Sequence, residues 1–367
     1  MRLFITKLYL LWSILFLFLS VPIHCSKGIV YAVSDYPGPL FVNIDNTNNL
    51  KNPLILLREA IERLGYRFKQ VGSVKNLQNY EHIICIDIPV KELDYLKNYP
   101  KEKLTAVLLE PPSVRPWNYD RSYHHYFGKI FTQLDAMVDY KTYFKYFAAC
   151  PNLSMFNDLP KFHERKLLVM FAGNKGSNFP GELYSERRRF IEFCEKNKQV
   201  QFDFFGVWWD SSRYHNYRGF AADKFNIGKH YKFAICYENV QGLDGYITEK
   251  LFDAFITATV PIYWGPTNIT KYVPSNCFIS ASRFHSPEEI YSFISNITQE
   301  EYSNYIFNIR KFLSSDAVLV FKDNNFAHLV LSRVLKDYDT SILRDSQNDL
   351  FDRMIAMNHK LGIEVIK

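Results

Sequence analysis

Cysteine is scarce in this 367-residue chain, and the spacing of its thiols argues against two classes of function. The six cysteines are far apart, and no two of them form a Cys-x-x-Cys pair. Zinc modules and thiol redox centres need closely spaced ligands or thiols, so we expect neither. Cys85 and Cys236 lie in apolar segments that predict small buried side chains, while one disulfide among the other cysteines remains open.

Basic residues are also too dispersed to predict a nucleic-acid partner. The formal net charge is +6, but no stripe of Lys and Arg with interleaved aromatic residues occurs. Nucleic-acid surfaces concentrate such residues on one face, so we expect no nucleic acid to bind. A local basic site for phosphate groups is compatible with this distribution.

Low-complexity tracts and internal repeats are absent from the sequence. Hydrophobic residues make up 47% and charged residues 22% of the chain, which is typical of a globular protein. The 31 Phe and 25 Tyr provide rings for cores and for the walls of a cleft. A chain of this length predicts two domains of ordinary size.

The apolar segment at the N-terminus is shorter than a typical membrane-spanning helix. Residues 1–25 have a basic start and an unbroken apolar run from Leu8 to Leu19. We predict a signal peptide or a short signal anchor that contacts a membrane. The remainder would face the Golgi or secretory lumen of a eukaryote, or the cell envelope of a bacterium. Three N-glycosylation triplets fit this location: Asn152, Asn268 and Asn296.

Two successive parts of the chain alternate strand-like and helix-like segments. The first part contains the apolar runs GIVYAVSD, HIICIDIPV and LTAVLLEPP, with the helical pattern NPLILLREAIERLG. The second part contains KLLVMFAGN, QFDFFG, YKFAICYEN and TVPIYWG, with the helical patterns ERRRFIEFCEKN and TEKLFDAFITA. Such alternation predicts parallel sheets wrapped by helices.

We therefore predict an α/β chain with two doubly wound, Rossmann-like modules that face each other across a cleft. The predicted limits are the leader at 1–25, a first module at 26–150, a linker at 151–160, a second module at 161–345 and a C-terminal tail or helix at 346–367.

One loop of the second module, YENVQGLDGYITEK, combines glycines with charged and aromatic residues. It follows an apolar strand and precedes a helix, and ligands of parallel sheets bind at this edge. Thr248 is placed to cap the helix, while Lys250 adds a positive charge to its first turn, so the pattern predicts a bound phosphate. The alternative is an ordinary helix start, in which Glu249 stabilises the dipole and Lys250 is solvated.

Residues 231–265, YKFAICYENVQGLDGYITEKLFDAFITATVPIYWG, closely resemble the donor-binding motif of the α1,3/4-fucosyltransferases. This family is inverting and uses GDP-fucose. The shared elements are the Tyr-Lys-Phe start, the Glu-Asn pair, the Tyr-x-Thr-Glu-Lys string and the Val-Pro-x-x-x-Gly ending. Weaker matches lie upstream at Asn174, Arg187, Gly206 and the segment LLEPPS, where Gly173 and Pro111 replace serines of the family.

The resemblance implies a GT-B fold whose second module binds GDP-fucose and whose first module binds the acceptor. The implied reaction moves L-fucose to a hydroxyl of a glycan, glycoprotein or glycolipid with inversion at the anomeric carbon. We expect N-acetylglucosamine as acceptor and an α1,3 linkage. The alternatives are a different GT-B nucleotide-sugar transferase and an exported glycan-binding protein without catalysis.

Glu110 is the candidate general base, because it ends an apolar strand and is held by two following prolines. The alternative for Glu110 is a solvated carboxylate before a turn. Arg187 and Lys250 are the candidate partners of the leaving diphosphate, although Arg187 could instead lie on a helix surface. The other predicted donor-binding residues are Asn174, Glu238, Asn239, Tyr246, Thr248 and Glu249.

We predict no metal site and no required cofactor, because Arg187 and Lys250 can do the work of a divalent ion. The only Asp-x-Asp string, residues 337–339, lies far from any predicted strand end. We interpret its aspartates as solvated charges.

Overall fold

A computed structural model describes residues 26–41, 53–147, 150, 153–344 and 348–365 of the chain. The described residues form two parallel sheets, each packed between helices, and this confirms the predicted pair of doubly wound modules. The predicted leader lies outside the described residues.

The first sheet has six strands in the order β2-β1-β3-β4-β5-β6. Its strands are β1 Ile29–Ser34, β2 Arg67–Val71, β3 Tyr80–Ile86, β4 Leu104–Val107, β5 Lys129–Thr132 and β6 Tyr143–Lys145. The predicted apolar runs form the central strands β1, β3 and β4. Charged residues alternate along β2, and β6 has three residues, so neither showed an apolar run.

The second sheet has five strands in the order β11-β10-β9-β7-β8. Its strands are β7 Lys166–Phe171, β8 Phe202–Phe205, β9 Tyr231–Tyr237, β10 Val260–Trp264 and β11 Ile279–Ser280. Strand β9 lies at the centre, paired in parallel with β7 and β10. The loop singled out above therefore leaves the carboxyl end of a central strand.

The described α-helices complete the two modules. They are α1 Pro53–Arg63, α2 Leu93–Leu96, α3 Tyr184–Lys196, α4 Lys224–Gly228, α5 Glu249–Ile256, α6 Pro287–Ser295, α7 Gln299–Leu313, α8 Asp323–Val334 and α9 Asn348–Lys360. Across the described ranges, no helix has the length and apolar character needed to cross a membrane.

The end of the chain returns to the first module. Helix α8 packs against α1, although it lies in sequence within the predicted limits of the second module. Lys27 forms an ion pair with Asp337 at 2.5 Å, and the Tyr66 hydroxyl donates to the same carboxylate at 2.7 Å. Asp337 is exposed, as predicted for a solvated charge, and in addition it forms a contact between the modules.

A buried polar contact, the intermodule cluster, joins the modules beside the cleft. It consists of Asp135 and Lys145 from the first module and Gly245, Asn268 and Tyr272 from the second. Lys145 Nζ lies 2.6 Å from Asp135 Oδ1, and Asp135 Oδ2 accepts from Asn268 Nδ2 at 2.8 Å and Tyr272 at 2.6 Å.

Gly245 has to be glycine at this contact. Its φ is +83°, and a Cβ would lie 2.3 Å from both Asp135 Oδ1 and Lys145 Nζ. The cluster therefore brings the loop after β9 directly against the first module.

Candidate active site

The carboxyl ends of both sheets face one cleft of about 570 Å³. This volume lies within the roughly 300–1,000 Å³ of common ligand pockets. It is lined from the first module by Tyr36, Leu40, Leu54, Leu109, Glu110, Gln133 and Tyr146, and from the second by Phe171, Gly173, Lys175, Arg187, Asn239, Tyr246, Thr248, Glu249 and Lys250, with Phe326 of α8.

Glu110 projects from the segment that follows β4, as predicted from its place after an apolar run. Its half-buried carboxyl lines the cleft. Burial raises the pKa of Glu110, and the charge of Asp87 raises it further, while Lys175 and Lys250 oppose the rise. A carboxyl with a raised pKa is a stronger proton acceptor than an ordinary glutamate.

Asp87 lies directly after β3, beneath Glu110, and is completely buried. Its Oδ1 accepts from the backbone N–H of Leu109 at 2.6 Å and of Glu110 at 3.2 Å, and from Asn118 Nδ2 at 2.7 Å. Its Oδ2 accepts from the Tyr36 hydroxyl at 2.5 Å. The sequence argument missed Asp87, although its position after the HIICI run is the same signal that identified Glu110.

Lys250, in the first turn of α5, is held by a buried carboxylate. Its Nζ lies 3.2 Å from Glu238 Oε2 and 3.5 Å from Glu249 Oε1. Burial disfavours the ammonium, but Glu238 and then Glu249 outweigh it and raise the pKa of Lys250. Lys250 is therefore a permanent positive charge on the wall of the cleft.

Glu238 lies beneath the cleft wall rather than on it. Its side chain is fully buried and accepts from Thr248 N at 2.9 Å, Thr248 Oγ1 at 2.7 Å and the Tyr263 hydroxyl at 3.0 Å. We predicted Glu238 as a donor-binding residue, and in the structure its oxygens accept hydrogen bonds from protein donors. Its position suits the support of Lys250 and Thr248.

Thr248 stands at the N-cap of α5, but its hydroxyl does not cap the helix. The hydroxyl donates to Glu238 and accepts from Lys250 Nζ at 2.9 Å. A buried carboxylate without donors is costly, so Glu238 takes the hydroxyl that we assigned to the cap. The first N–H groups of α5 consequently receive no side-chain cap.

Arg187 is the member of the Arg187–Arg189 run that lines the cleft. It is buried, and its Nη2 donates to the carbonyl oxygens of Tyr237 at 2.6 Å and Glu238 at 2.8 Å. Asn239 Oδ1 accepts from the same nitrogen at 3.1 Å. The guanidinium is thus fixed at the end of β9, rather than on the exposed helix surface of the alternative interpretation.

A second, smaller cavity of about 110 Å³ adjoins the cleft, because Phe171, Arg187, Glu249 and Lys250 line both. Its far wall carries the ion pair between Lys224 Nζ and Asp253 Oδ2 at 2.5 Å. Burial raises the pKa of Asp253 to about 6, against the opposing effect of Lys224. The two connected cavities continue from Glu110 past the basic residues into the second module.

Seven of the nine predicted site residues line the cleft: Glu110, Arg187, Asn239, Tyr246, Thr248, Glu249 and Lys250. Glu238 lies beneath the wall, as described above. Asn174 is exposed and outside the lining, where its Nδ2 donates to the Trp208 carbonyl at 3.2 Å. Its neighbour Lys175 lines the cleft instead. The chemical roles assigned to these residues stay predictions.

Within the part of the chain that the structure describes, no group of three His, Cys, Asp or Glu side chains is arranged to hold a metal ion. His124 illustrates why the nearby histidines do not form one. Its two ring nitrogens lie 2.9 Å from the Tyr143 hydroxyl and from the Asn118 carbonyl, so both are already engaged.

Comparison with known proteins finds similarities within the second module. Residues 175–337 match the model of "Glycosyltransferase family 10 (fucosyltransferase) C-term". The chain is 41% identical over 64 residues to an α-(1,3)-fucosyltransferase of Helicobacter pylori, covering 17% of this chain and 13% of that protein. It is 37% identical over 78 residues to an α-(1,4)-fucosyltransferase of Arabidopsis thaliana, covering 21% and 19%. The matched segments span less than a quarter of these relatives.

Solved structures resemble the whole fold at low sequence identity. An α1,3-fucosyltransferase crystallised with GDP gives a TM-score of 0.53 at 15% identity, covering 88% of this chain and 94% of that one. A DNA-modifying β-glucosyltransferase gives 0.52 at 9% identity, covering 84% and 99%. These likenesses confirm the predicted GT-B fold. Within that fold, residues 175–337 are the segment similar to the C-terminal part of glycosyltransferase family 10 (fucosyltransferase).

Proposed function

We propose that this protein is a fucosyltransferase that moves L-fucose from GDP-fucose to a hydroxyl of a glycan acceptor, with inversion at the anomeric carbon. One observation carries the proposal. A carboxyl with a raised pKa, Glu110, and two cations, Arg187 and Lys250, line the same cleft from opposite modules. The family match of residues 175–337 and the fold support the choice of donor.

In the proposed reaction Glu110 accepts the proton of the acceptor hydroxyl. The hydroxyl oxygen forms a bond to the anomeric carbon of fucose as the bond from that carbon to the β-phosphate oxygen breaks. GDP leaves with the bonding electron pair, and the proton remains on Glu110. A single displacement of this kind inverts the configuration at the anomeric carbon.

Arg187 and Lys250 stabilise the charge that develops on the leaving diphosphate. The ammonium of Lys250 is a fixed point charge beside the uncapped start of α5, where backbone N–H groups also favour an anion. Preorganised charges of this kind act most strongly in the transition state, when the leaving oxygen becomes negative. We therefore propose that transfer needs no divalent metal and no other cofactor.

Tyr246, Asn239 and Glu249 lie beside these cations and supply the polar groups for the donor hydroxyls. Asn239 Nδ2 and the Tyr246 hydroxyl are 3.5 Å apart, so both face the same part of the cleft. Glu249 is about half exposed beside Lys250, where its carboxylate is available to a ribose or fucose hydroxyl. We keep Asn174 as a more distant candidate for the donor site.

We propose N-acetylglucosamine as the acceptor sugar and α1,3 as the linkage formed. The names of the similar proteins include both α1,3 and α1,4 enzymes, so linkage analysis of the product tests this step. The predicted leader supports a membrane-associated or exported enzyme that meets glycans, glycoproteins or glycolipids in the Golgi lumen or in a bacterial envelope. Sequencing the N-terminus of the mature protein tests whether the leader is cleaved.

The deciding experiment measures transfer by the purified full-length chain from a panel of GDP- and UDP-sugars, with and without EDTA. We expect transfer from GDP-fucose alone, unaffected by EDTA. Transfer from another donor would establish a different GT-B transferase. The variant Glu110→Gln should lose transfer by about 100-fold or more while GDP binding persists in calorimetry. A wild-type chain that binds glycans without any transfer would overturn the proposal.

A further inference from the structure

We propose that Asp87 is a positioning residue for Glu110, which fixes the backbone that carries the base and keeps a second negative charge behind it. This inference rests on the proposed function, because it takes Glu110 as the proton acceptor. It concerns a residue that does not line the cleft and cannot touch either substrate.

The carboxylate of Asp87, which follows β3, binds the backbone of the segment that follows β4. One carboxylate oxygen holds the consecutive N–H groups of Leu109 and Glu110, and Asn118 Nδ2 links that oxygen to the Glu110 carbonyl at 3.2 Å. Both peptide groups of Glu110 are therefore tied to one buried site. These hydrogen bonds fix the backbone from which the Glu110 side chain extends into the cleft.

The backbone of Asp87 supports the same conclusion. Its φ is +58°, in the left-handed region that non-glycine residues seldom occupy. Such a conformation costs free energy and persists where the surroundings fix it, often beside functional sites. Here it turns the carboxylate under β4 rather than leaving it in the cleft.

The donors around Asp87 indicate that it carries a negative charge. It accepts from Tyr36, two backbone N–H groups and Asn118, and Arg115 Nε lies 3.5 Å from Oδ2. Burial raises the pKa of Asp87, while the hydrogen bonds from Tyr36 and the two backbone N–H groups and the charge of Arg115 oppose the rise and favour the carboxylate. The charged and titratable groups that face Asp87 are Tyr36, Glu110, Arg115, Tyr119 and Tyr146. Those that face Glu110 are Asp87, Lys175, Glu249 and Lys250, with the hydroxyls of Tyr36, Tyr119, Tyr146, Tyr184 and Tyr246.

Two roles follow, and they give different kinetic signatures. As a backbone anchor, Asp87 keeps Glu110 in register with the acceptor hydroxyl, which affects kcat. As a neighbouring like charge, it disfavours the ionised form of Glu110, which moves the pH dependence of kcat/KM. A residue that only stabilised the fold would change neither the shape nor the position of that profile.

The test is the pH profile of transfer by full-length Asp87→Asn, which removes the charge at nearly constant shape. We expect the acid limb to move to lower pH by about one unit and kcat to fall about tenfold. Asp35→Asn is the matched control, because Asp35 lies 3.8 Å from the same Arg115 but makes no hydrogen bond to Glu110. It should leave the acid limb in place.

A second variant separates the anchor from the charge and protects the test if Asp87→Asn does not fold. Asn118→Ser removes the amide link to the Glu110 carbonyl without changing any charge, so kcat should fall and the acid limb should stay. An unmoved acid limb in folded Asp87→Asn, or a wild-type kcat in Asn118→Ser, would overturn the inference. GDP binding should be normal in both variants, whereas its absence from the wild type would refute the proposed function itself.

Discussion

Each module places a fully buried carboxylate behind a charged group of the cleft, but the charge in front differs. Asp87 lies after β3, behind Glu110, whereas Glu238 lies after β9, behind Lys250. In the first module two carboxyl groups, Asp87 and Glu110, are neighbours. In the second module the carboxylate of Glu238 stabilises the ammonium of Lys250. The same edge of a parallel sheet thus serves opposite electrostatic purposes.

The difference shows how position alone can assign a chemical role. Burial raises the pKa of Glu110, and the neighbouring charge of Asp87 raises it further, so Glu110 is a better proton acceptor than an ordinary glutamate. Beside Glu238, Lys250 also has a raised pKa, but for a base this means that it keeps its proton. The first module therefore provides a group that titrates, and the second a group that does not.

Removing the cation of the second module should have the largest effect on ligand binding. Lys250→Met should weaken GDP binding by about 10- to 100-fold, because a charge-assisted hydrogen bond to phosphate is lost. Lys250→Arg should retain part of the affinity, since the charge remains while the geometry of its donors changes. Calorimetry with GDP measures both, and equal affinity in wild type and Lys250→Met would contradict the comparison.

The contribution of Glu238, the buried carboxylate behind Lys250, can be measured through the free energy of unfolding. Glu238→Gln should lower the free energy of unfolding by about 3 kcal/mol, since it leaves Lys250 with weaker compensation and alters the bonds to Thr248 and Tyr263. Urea denaturation gives the value. Glu249→Gln is the control, because its more exposed carboxylate should matter by less than about 1 kcal/mol.

The intermodule cluster offers a buried cation whose pKa moves in the opposite direction to that of Lys250. Burial lowers the pKa of Lys145 to about 8, although Asp135 partly offsets it. The unfolded chain therefore binds more protons than the folded protein between pH 8 and 10.5, so this group contributes stability as the pH rises through that window. Relative to Lys145→Met, wild type should gain up to about 3 kcal/mol between pH 7.5 and 10.5. Urea denaturation at several pH values measures this difference in unfolding free energy. A difference between wild type and Lys145→Met that does not change with pH would exclude the lowered pKa of Lys145.

The smallest effect is expected at the exposed intermodule ion pair. Lys27 and Asp337 are both largely accessible to solvent, so Lys27→Ala should change the free energy of unfolding by less than about 1 kcal/mol. The same denaturation series measures it. If Lys27→Ala lowered the free energy of unfolding as much as Glu238→Gln, burial would not determine how much an ion pair contributes to stability.

The sequence predicted those features that depend on one segment at a time. Apolar runs identified the central strands, and charged residues directly after them, such as Glu110, identified the edge of the cleft. Features that need two segments escaped prediction. Asp87 acquires its role from backbone groups of the neighbouring strand, and Glu238 is buried partly because Tyr263, 25 residues later, donates to it.

The same reasoning explains the wrong cap assignment at the start of α5 and the position of Asn174 after β7. Thr248 is an N-cap by sequence, but the buried carboxylate of Glu238 competes for its hydroxyl. Asn174 belongs to a resembling motif, and its amide donates to the carbonyl of Trp208, while its donor-binding role stays a prediction. In both cases a local pattern was correct in position, and a distant residue decided which atom was available.

The amide of Asn268 has a consequence for the maturation of the chain. An oligosaccharide would attach to Nδ2, the atom that donates to Asp135 between the modules. In a compartment that glycosylates proteins, carbohydrate at this asparagine would have to be added before the two halves dock, and would then keep them apart. Glycan at Asn268 would thus mark chains whose two modules have not docked. The exposed Asn296 could carry a glycan without preventing docking.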